Sequence, residues 1–128
     1  MNITQGLIDW LQDFEPFAKY SPARGMFDET DSDADTRFLS IILDGGRNPG
    51  PIEDYTNVML IWSGPRDAGG LPGGLIEPEQ DATDFRQFAR DNYKSSCFAR
   101  VKFIGGIIGP KFTEQGRPCY MMNLELIY

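Results

Sequence analysis

Residues 97–128, CFARVKFIGGIIGPKFTEQGRPCYMMNLELIY, decide the fold of this chain because they hold two apolar segments joined by a turn rich in glycine and proline. From residue 119 onward the side chains alternate between two faces, which is the period of a β-strand. One face would carry Tyr120, Met122, Leu124, Leu126 and Tyr128. A terminus this apolar is expected to be docked in a sheet or an interface, since loose termini are polar and frayed. The pattern predicts a C-terminal β-hairpin in a protein built for packing.

The first strand of this hairpin carries Val101 and Phe103 on one face and Arg100 and Lys102 on the other. Glycines at 105, 106 and 109 and the proline at 110 are expected to interrupt its ladder, and residues 113–118 turn the chain back. Glu125 on the second strand is expected to face solvent or to pair with Arg100 or Lys102.

Two segments have the period of an amphipathic helix. Residues 2–14 form the first, with Asn2 as N-cap and Pro16 as the residue that ends the run. Residues 81–93 form the second, with Asp81 as N-cap. The buried faces are predicted to carry Ile3, Leu7, Trp10, Leu11 and Phe14 in the first helix and Ala82, Phe85, Phe88, Ala89 and Tyr93 in the second.

Two nearly continuous apolar runs, residues 37–44 (RFLSIILD) and 57–63 (NVMLIWS), predict strands that pair as an antiparallel hairpin. Such runs are typical of strands covered on both faces, here by the protein itself or by another subunit. Residues 20–27 predict a short edge strand. The order of elements predicts one α+β domain over residues 1–128, in which a mixed, mostly antiparallel sheet packs against two main helices.

Composition argues against several classes of function. The chain has 12 Lys and Arg against 19 Asp and Glu, a net charge of −7, and its cations make no run, so gripping of nucleic acid is not expected. It has no histidine, the commonest general base and transition-metal ligand. We therefore predict no enzymatic activity, no catalytic residues and no cofactor.

Two segments imitate ligand-binding motifs and then depart from them. Asp31, Asp33 and Asp35 are spaced like the start of a calcium-binding loop, but Thr36 and Ile42 occupy the positions of its glycine and its bidentate glutamate. The glycine-rich residues 63–74 lack the terminal Lys-Ser/Thr of a phosphate-binding loop. Neither a metal nor a phosphate site is predicted, and the glycine-rich loop is expected to order against a partner.

Cys97 and Cys119 are both expected on the C-terminal hairpin. In the absence of a signal peptide we expect two buried thiols in a reducing cytosol, and a disulfide between them stays open. No apolar run reaches the ~20 residues of a membrane span, so no membrane association is expected.

Four segments carry a resemblance to a known family: the opening helix ITQGLIDWL, the strand ending NVMLIWSGP, the helix DFRQFARDNY and the closing FARVKFIGGIIGPKFTEQGRPCYMMNLELIY. In these the chain resembles the tail terminator (tail completion) proteins of long-tailed bacteriophages. The resemblance implies a small α+β domain of which six copies form a ring. The ring would cap the head-proximal end of the tail tube, stop its polymerisation and present the surface to which the filled head attaches.

The resemblance also implies partners and a location. Genomic DNA would pass through the ring without sequence-specific binding, and the protein would be assembled in the host cytoplasm and end in the virion tail. Two loops are candidate contacts with the tail tube protein or a head-side connector, through Asp28, Asp31, Asp33, Asp35, Gly64, Arg66, Asp67, Gly69 and Gly70. Candidate subunit contacts with acidic neighbours are Arg100, Lys102, Lys111 and Arg117.

Three alternatives remain open. The chain is also compatible with another neck or head–tail connector component, which would share the same partners. A small-ligand-binding α+β domain would use Trp62, Tyr93 and Phe103 around a pocket. A metal-dependent enzyme would bind calcium or magnesium through the aspartates of residues 31–35.

Overall fold

The computed structural model describes residues 3–25, 36–47, 55–66, 76–93 and 100–127, with side chains omitted at 44–47 and 55. The helices are α1 (Ile3–Leu11) and α2 (Ile76–Asp91), with a 3-10 helix at Glu15–Lys19. The strands are β1 (Tyr20–Arg24), β2 (Arg37–Arg47), β3 (Tyr55–Ser63), β4 (Arg100–Phe112) and β5 (Pro118–Ile127).

The five strands form one sheet in the order β1-β2-β3-β5-β4. β1 runs parallel to β2, and the other three pairings are antiparallel. The predicted α+β class, with a mixed and mostly antiparallel sheet against two helices, is confirmed. β1 lies at one edge, where Pro22 can lack an N–H without breaking a central ladder.

The core lies between the helices and one face of the sheet. The alternation predicted for β5 is confirmed, because Tyr120, Met122, Leu124 and Leu126 all point into this core. Trp62 of β3 is fully buried there, and its ring centroid lies 5.0 Å from that of Tyr20 and 5.6 Å from that of Phe85. The rings of Tyr20 and Trp62 pack edge to face, which adds to the free energy gained by burying their apolar area.

The apolar strands predicted a sheet that is covered on both faces, and this prediction is confirmed in part. The described helices pack on the core face. On the opposite face Ile61 and Ser63 are buried near one end, and Ile42 and Met59 are half-buried. We call this second face the open face.

The first helix is shorter than predicted. α1 ends at Leu11, and the next residues continue in tighter turns in which the amide of Phe14 donates to the carbonyl of Leu11 at 2.9 Å. Such 3-10 turns are common at helix ends and keep Phe14 in the core. Pro16 lies inside the following 3-10 helix, and Asn2 lies outside the described residues.

The second helix begins five residues before the predicted start, at Ile76. Pro78 lies in its first turn, where a missing N–H has no helical acceptor to serve. The assignment of Asp81 as N-cap was therefore wrong. Asp81 is buried inside the helix, where its carboxylate accepts hydrogen bonds from Tyr20 Oη at 2.7 Å and Lys19 Nζ at 3.1 Å. Tyr93 was also wrongly placed on the buried face, since it follows the end of α2 and is 48% exposed.

Glycine interrupts the β4–β5 ladder as predicted. The pairing shifts register between Ile104 and Ile108 and again between Ile108 and Lys111. These shifts contain the glycines at 105, 106 and 109, so β4 uses more residues than β5 over the same length.

Candidate interaction surfaces

One end of the sheet brings together the residues that adjoin both predicted partner segments, Thr36 and Gly64. Phe38 at the start of β2 pairs with Ser63 at the end of β3, which pairs with Cys119 at the start of β5 and, through it, with Lys111 near the end of β4. Arg117 directly precedes β5 here, so we call this end of the sheet the Arg117 end.

Arg117 is fully buried and joins the chain before β2 to the chain after β3. Its Nη1 donates hydrogen bonds to the carbonyl of Thr36 and, at 3.1 Å, to the carbonyl of Gly64. Its guanidinium carbon lies 5.2 Å from the ring centroid of Phe38, a cation–π contact. The prediction that Arg117 meets an acidic neighbour on the surface does not fit this position, because the charge points inward.

A tight turn directs Arg117 inward. The amide of Thr113 donates to the carbonyl of Arg117 at 3.0 Å, and the amide of Arg117 donates to Thr113 Oγ1 at 3.2 Å. Sequence patterning missed this because turn residues are ordinarily solvated, and nothing local indicates that two distant carbonyls lie within reach.

The two predicted partner segments attach to the sheet beside each other. The acidic segment precedes Thr36 and the glycine-rich segment follows Gly64, and the carbonyls of both residues bind Arg117. Gly64 is buried and Arg66 is half-buried. The other candidates in these segments lie outside the described residues: Asp28, Asp31, Asp33, Asp35, Asp67, Gly69 and Gly70.

Cys119 also lies at the Arg117 end. Its thiol is buried and lies 3.3 Å from Ser63 Oγ. Cys97 is outside the described residues, so a disulfide between the two cysteines stays an open prediction.

The edge strand β4 is the second candidate surface. Arg100, Lys102 and Lys111 are exposed along it, as the alternation predicted for the first two. Ile104, Ile108 and Phe112 are 44%, 49% and 58% exposed on the same strand. These apolar residues, four apart, were not singled out from the sequence, although their spacing within a glycine-interrupted strand was visible there.

Glu125 lies on the open face opposite Lys102 of β4 and Asn57 of β3. Lys102 is one of the two partners predicted for Glu125. Glu125 is buried, which excludes the alternative that its side chain faces solvent.

A buried acid–phenol contact fixes α2 to the start of β1. Burial, followed by the hydrogen bond to the Asp81 carboxylate, holds the pKa of Tyr20 far above its usual value of 10. Lys19 Nζ lies 2.9 Å from the second oxygen of Asp81. Tyr20 and Asp81 are buried and Lys19 is exposed, so the contact joins the core to the surface of the molecule.

An open depression of about 450 Å³ lies between the end of α2 and the start of β4. Tyr93 and Phe103 line it together with Ala89, Arg90, Arg100 and Val101. Trp62, the third aromatic residue of the ligand-binding alternative, is in the core instead.

Among the described residues, no group of three His, Cys, Asp or Glu side chains is arranged to hold a metal ion. The aspartates of residues 31–35, on which the metal alternative depends, are not described. The helices of the described ranges are too short or too polar to cross a bilayer.

A comparison with protein families identifies the family of this chain. A family model described as phage tail termination protein matches residues 1–128. The chain belongs to the phage tail terminator family. No curated protein matches the sequence. As a tail terminator, the protein is a virion tail component that acts in tail assembly, which is a structural role.

Proposed function

We propose that this tail terminator forms a ring, most simply a hexamer, on the head-proximal end of the tail tube. The ring stops tube polymerisation and offers the surface to which the head attaches. The observation that carries this proposal is the match of the tail termination family over all 128 residues.

The edge strand β4 supports a ring. A cyclic assembly needs two different patches on each subunit, one for each neighbour. β4 supplies one such patch, since Ile104 and Ile108 expose apolar side chains along a sheet edge and Phe112 is exposed at the end of the same strand. Exposed apolar patches and free strand edges mark surfaces that pack against another chain.

The net charge of −7 suits a ring through which a genome passes. Each cation that neutralises a phosphate adds to nucleic-acid affinity through counterion release. A ring with few cations facing its opening would let DNA slide past without sequence-specific binding.

We place the tail tube protein or the head-side connector at the Arg117 end. The acidic and glycine-rich segments are attached there side by side, through Thr36 and Gly64. Two segments that start from adjacent points can contribute to one contact, and Arg117 gives them a rigid base. Assembly would take place in the host cytoplasm before the virion is complete.

Tail tube subunits polymerised with increasing amounts of this protein test the proposal, with tube length measured by negative-stain electron microscopy. The terminator is expected to limit tube length once about one ring per tube end is present. An unrelated acidic protein of similar size is the control. Unchanged tube length at saturating amounts contradicts termination and favours the alternative of a head-side connector, which acts after the tube is complete.

A further inference from the structure

The open depression between the end of α2 and the start of β4, which we call the β4 depression, combines cationic and apolar groups. Arg90 and Arg100 line it, and four further residues supply apolar surface: Ala89, Tyr93, Val101 and Phe103. No Asp or Glu is among the described residues that line it. Arg86 adds a cation beside it, with its guanidinium carbon 5.2 Å from the ring centroid of Phe103. The β4 depression therefore suits a group that is apolar and next to negative charge.

The carboxylates of α2 do not neutralise this depression. The helix surface is of mixed charge, since Asp84 shares a second, smaller depression with Arg90. Asp84 accepts a hydrogen bond from Gln80 at 2.8 Å, and Asp91 accepts one from Gln87 at 3.1 Å. Neither aspartate lines the β4 depression. Among the residues that the structure describes, Arg90 and Arg100 have no ion-pair partner.

Residues 26–29 of the chain, Met-Phe-Asp-Glu, have the complementary composition. Phe27 offers an aromatic ring, and a depression of about 450 Å³ has room for it. Asp28 and Glu29 follow directly and offer two carboxylates for two guanidinium groups. The whole of residues 26–35 contains five carboxylates and no Lys or Arg, so the charge of this segment is of one sign.

Phe27 cannot reach the β4 depression of its own copy. It follows Gly25, whose amide donates to the carbonyl of Ile41 at 2.9 Å at the end of β1. β1 and β4 are the two edges of the sheet and lie four strand spacings apart, which is about 19 Å. Two residues of extended backbone span no more than about 7 Å. A contact of Phe27 with this depression therefore joins two copies of the chain.

We infer that residues 26–29 of one copy dock in the β4 depression of the next copy. Phe27 lies against its apolar lining, and the two carboxylates that follow bind Arg90 and Arg100. The inference rests on the proposed ring and names a contact that builds it. The two parts of the contact belong to opposite edges of the sheet, as a head-to-tail ring requires. The later aspartates of the acidic segment, nearer Thr36, stay available for the contact proposed at the Arg117 end.

The aromatic ring supplies the affinity of this contact and the carboxylates supply its orientation. Burial of apolar area is the larger favourable term in most protein association, whereas exposed ion pairs add little. A guanidinium can hold a carboxylate through two parallel hydrogen bonds, so Arg90 and Arg100 fix the direction in which the segment enters. Like charges also disfavour the docking of one β4 depression against another.

Charge exchange tests the contact. One variant carries D28R and E29R, a second carries R90E and R100E, and a third carries all four changes. The first two are each expected to self-associate at least about tenfold more weakly than the unchanged chain, because like charges meet at every contact. The third is expected to regain association, since every contact again joins opposite charges. Sedimentation velocity measures association, and circular dichroism checks the fold of each variant.

Two further variants separate the ring from the charge. F27A is expected to weaken association at least about tenfold, which is the size of effect that follows from losing a buried Phe side chain. The control carries D9R and D13R, which change the net charge as much as the first variant does at exposed positions outside the contact, and it is expected to associate normally. Unchanged association of F27A would show that another group, such as residues 94–99 of the same copy, fills the depression, and would overturn the inference.

Photo-cross-linking gives a second measurement that also applies to tube-bound protein. Phe27 is replaced by benzoylphenylalanine, which on illumination bonds to a C–H group in contact with it. A mixture of 15N-labelled and unlabelled chains identifies links between copies. Links to residues 89–103 of another copy are expected, in solution or on tubes. Absence of these links in both settings overturns the inference, whether residue 27 then links within its own copy or elsewhere.

The two proposals fail separately. If the unchanged chain limits tube length but the cross-links miss the β4 depression, the terminator function stands and this contact falls. If the unchanged chain does not limit tube length, the proposed function falls, and links into the β4 depression of another copy would still establish the contact.

Discussion

Arg117 is a buried cation that contacts two backbone carbonyls and an aromatic ring. Carbonyls that are buried without a donor lose the free energy of their bonds to water. One nitrogen of the guanidinium, Nη1, donates both to the carbonyl before β2 and to the carbonyl after β3.

Replacing Arg117 by Met is expected to lower the free energy of unfolding by about 2–4 kcal/mol, because the part-buried carbonyl of Thr36 and the buried carbonyl of Gly64 lose a charged donor. Urea denaturation at neutral pH measures the change. Arg100→Met removes the same side chain from an exposed position on β4 and is expected to change stability by no more than about 0.5 kcal/mol. Equal losses in the two variants would contradict the internal role of Arg117.

Tyr20→Phe keeps the ring that packs on Trp62 and removes the hydroxyl that donates to buried Asp81. The variant is expected to be about 1–3 kcal/mol less stable at pH 7, since the carboxylate keeps Lys19 but loses a short hydrogen bond. Urea denaturation checks this value. A variant as stable as the parent would show that water replaces the hydroxyl without cost.

The same residue makes stability depend on alkaline pH. The pKa of Tyr20 is raised in the folded state, so the unfolded chain ionises first, near pH 10. The contribution of Tyr20 is complete below pH 10 and declines above it, by about 1.4 kcal/mol per pH unit. The stability difference between the parent and Tyr20→Phe is therefore expected to shrink between pH 10 and pH 11. Tyr120, whose pKa is also raised, is present in both proteins and cancels in the comparison.

At the scale of elements, the irregular ladder of β4 gives Gly109 a specific role. Its φ is 153°, and a Cβ at this position would lie 2.7 Å from the carbonyl oxygen of Cys119 and 2.9 Å from Tyr120 Cδ1. The backbones of β4 and β5 therefore approach each other more closely here than any side chain on residue 109 permits.

Gly109→Ala is expected to lower the free energy of unfolding by about 1–3 kcal/mol, because the strand must shift or the backbone must accept strain. Gly106→Ala is the matched control, since a Cβ there meets no atom within 4 Å. Its effect is expected to stay within about 0.5 kcal/mol. Thermal denaturation of both variants measures the difference, and a Gly106 variant as damaged as the Gly109 variant would refute the close-approach argument.

At the scale of the whole molecule, one sheet edge carries cations although the net charge is −7. Arg100, Lys102 and Lys111 are exposed along the edge strand β4, which also exposes the apolar side chains of Ile104, Ile108 and Phe112. A contact between copies at this strand would combine charged and apolar groups.

Self-association is therefore expected to weaken with salt but to persist. Between about 0.1 M and about 1 M salt the Debye length falls from ~10 Å to ~3 Å, which screens the charged contacts. We expect the dissociation constant to rise by roughly tenfold, with the apolar contact of β4 remaining. Sedimentation velocity at both salt concentrations measures it. Tighter association at high salt would indicate a contact that is purely apolar.

Prediction from sequence succeeded where structure follows from local pattern. The alternation in β5, the pairing of β2 with β3, the edge position of β1 and the glycine interruptions of β4 all follow from the period of the apolar residues and from the backbone limits of Gly and Pro. It failed for Asp81, because an aspartate before an apolar run has the pattern of an N-cap while its actual partners, Tyr20 and Lys19, are more than 60 positions away.

By itself, the sequence determined the fold class and membership of the terminator family, since hydrophobic period and family pattern are properties of the chain read in order. Only the tertiary structure decided that Arg117 is internal and that Thr36 and Gly64, where the two partner segments join the sheet, lie side by side. The physical reason is that the burial of a charge depends on groups brought together from distant positions, such as the carbonyls of Thr36 and Gly64. Local periodicity carries no information about those groups.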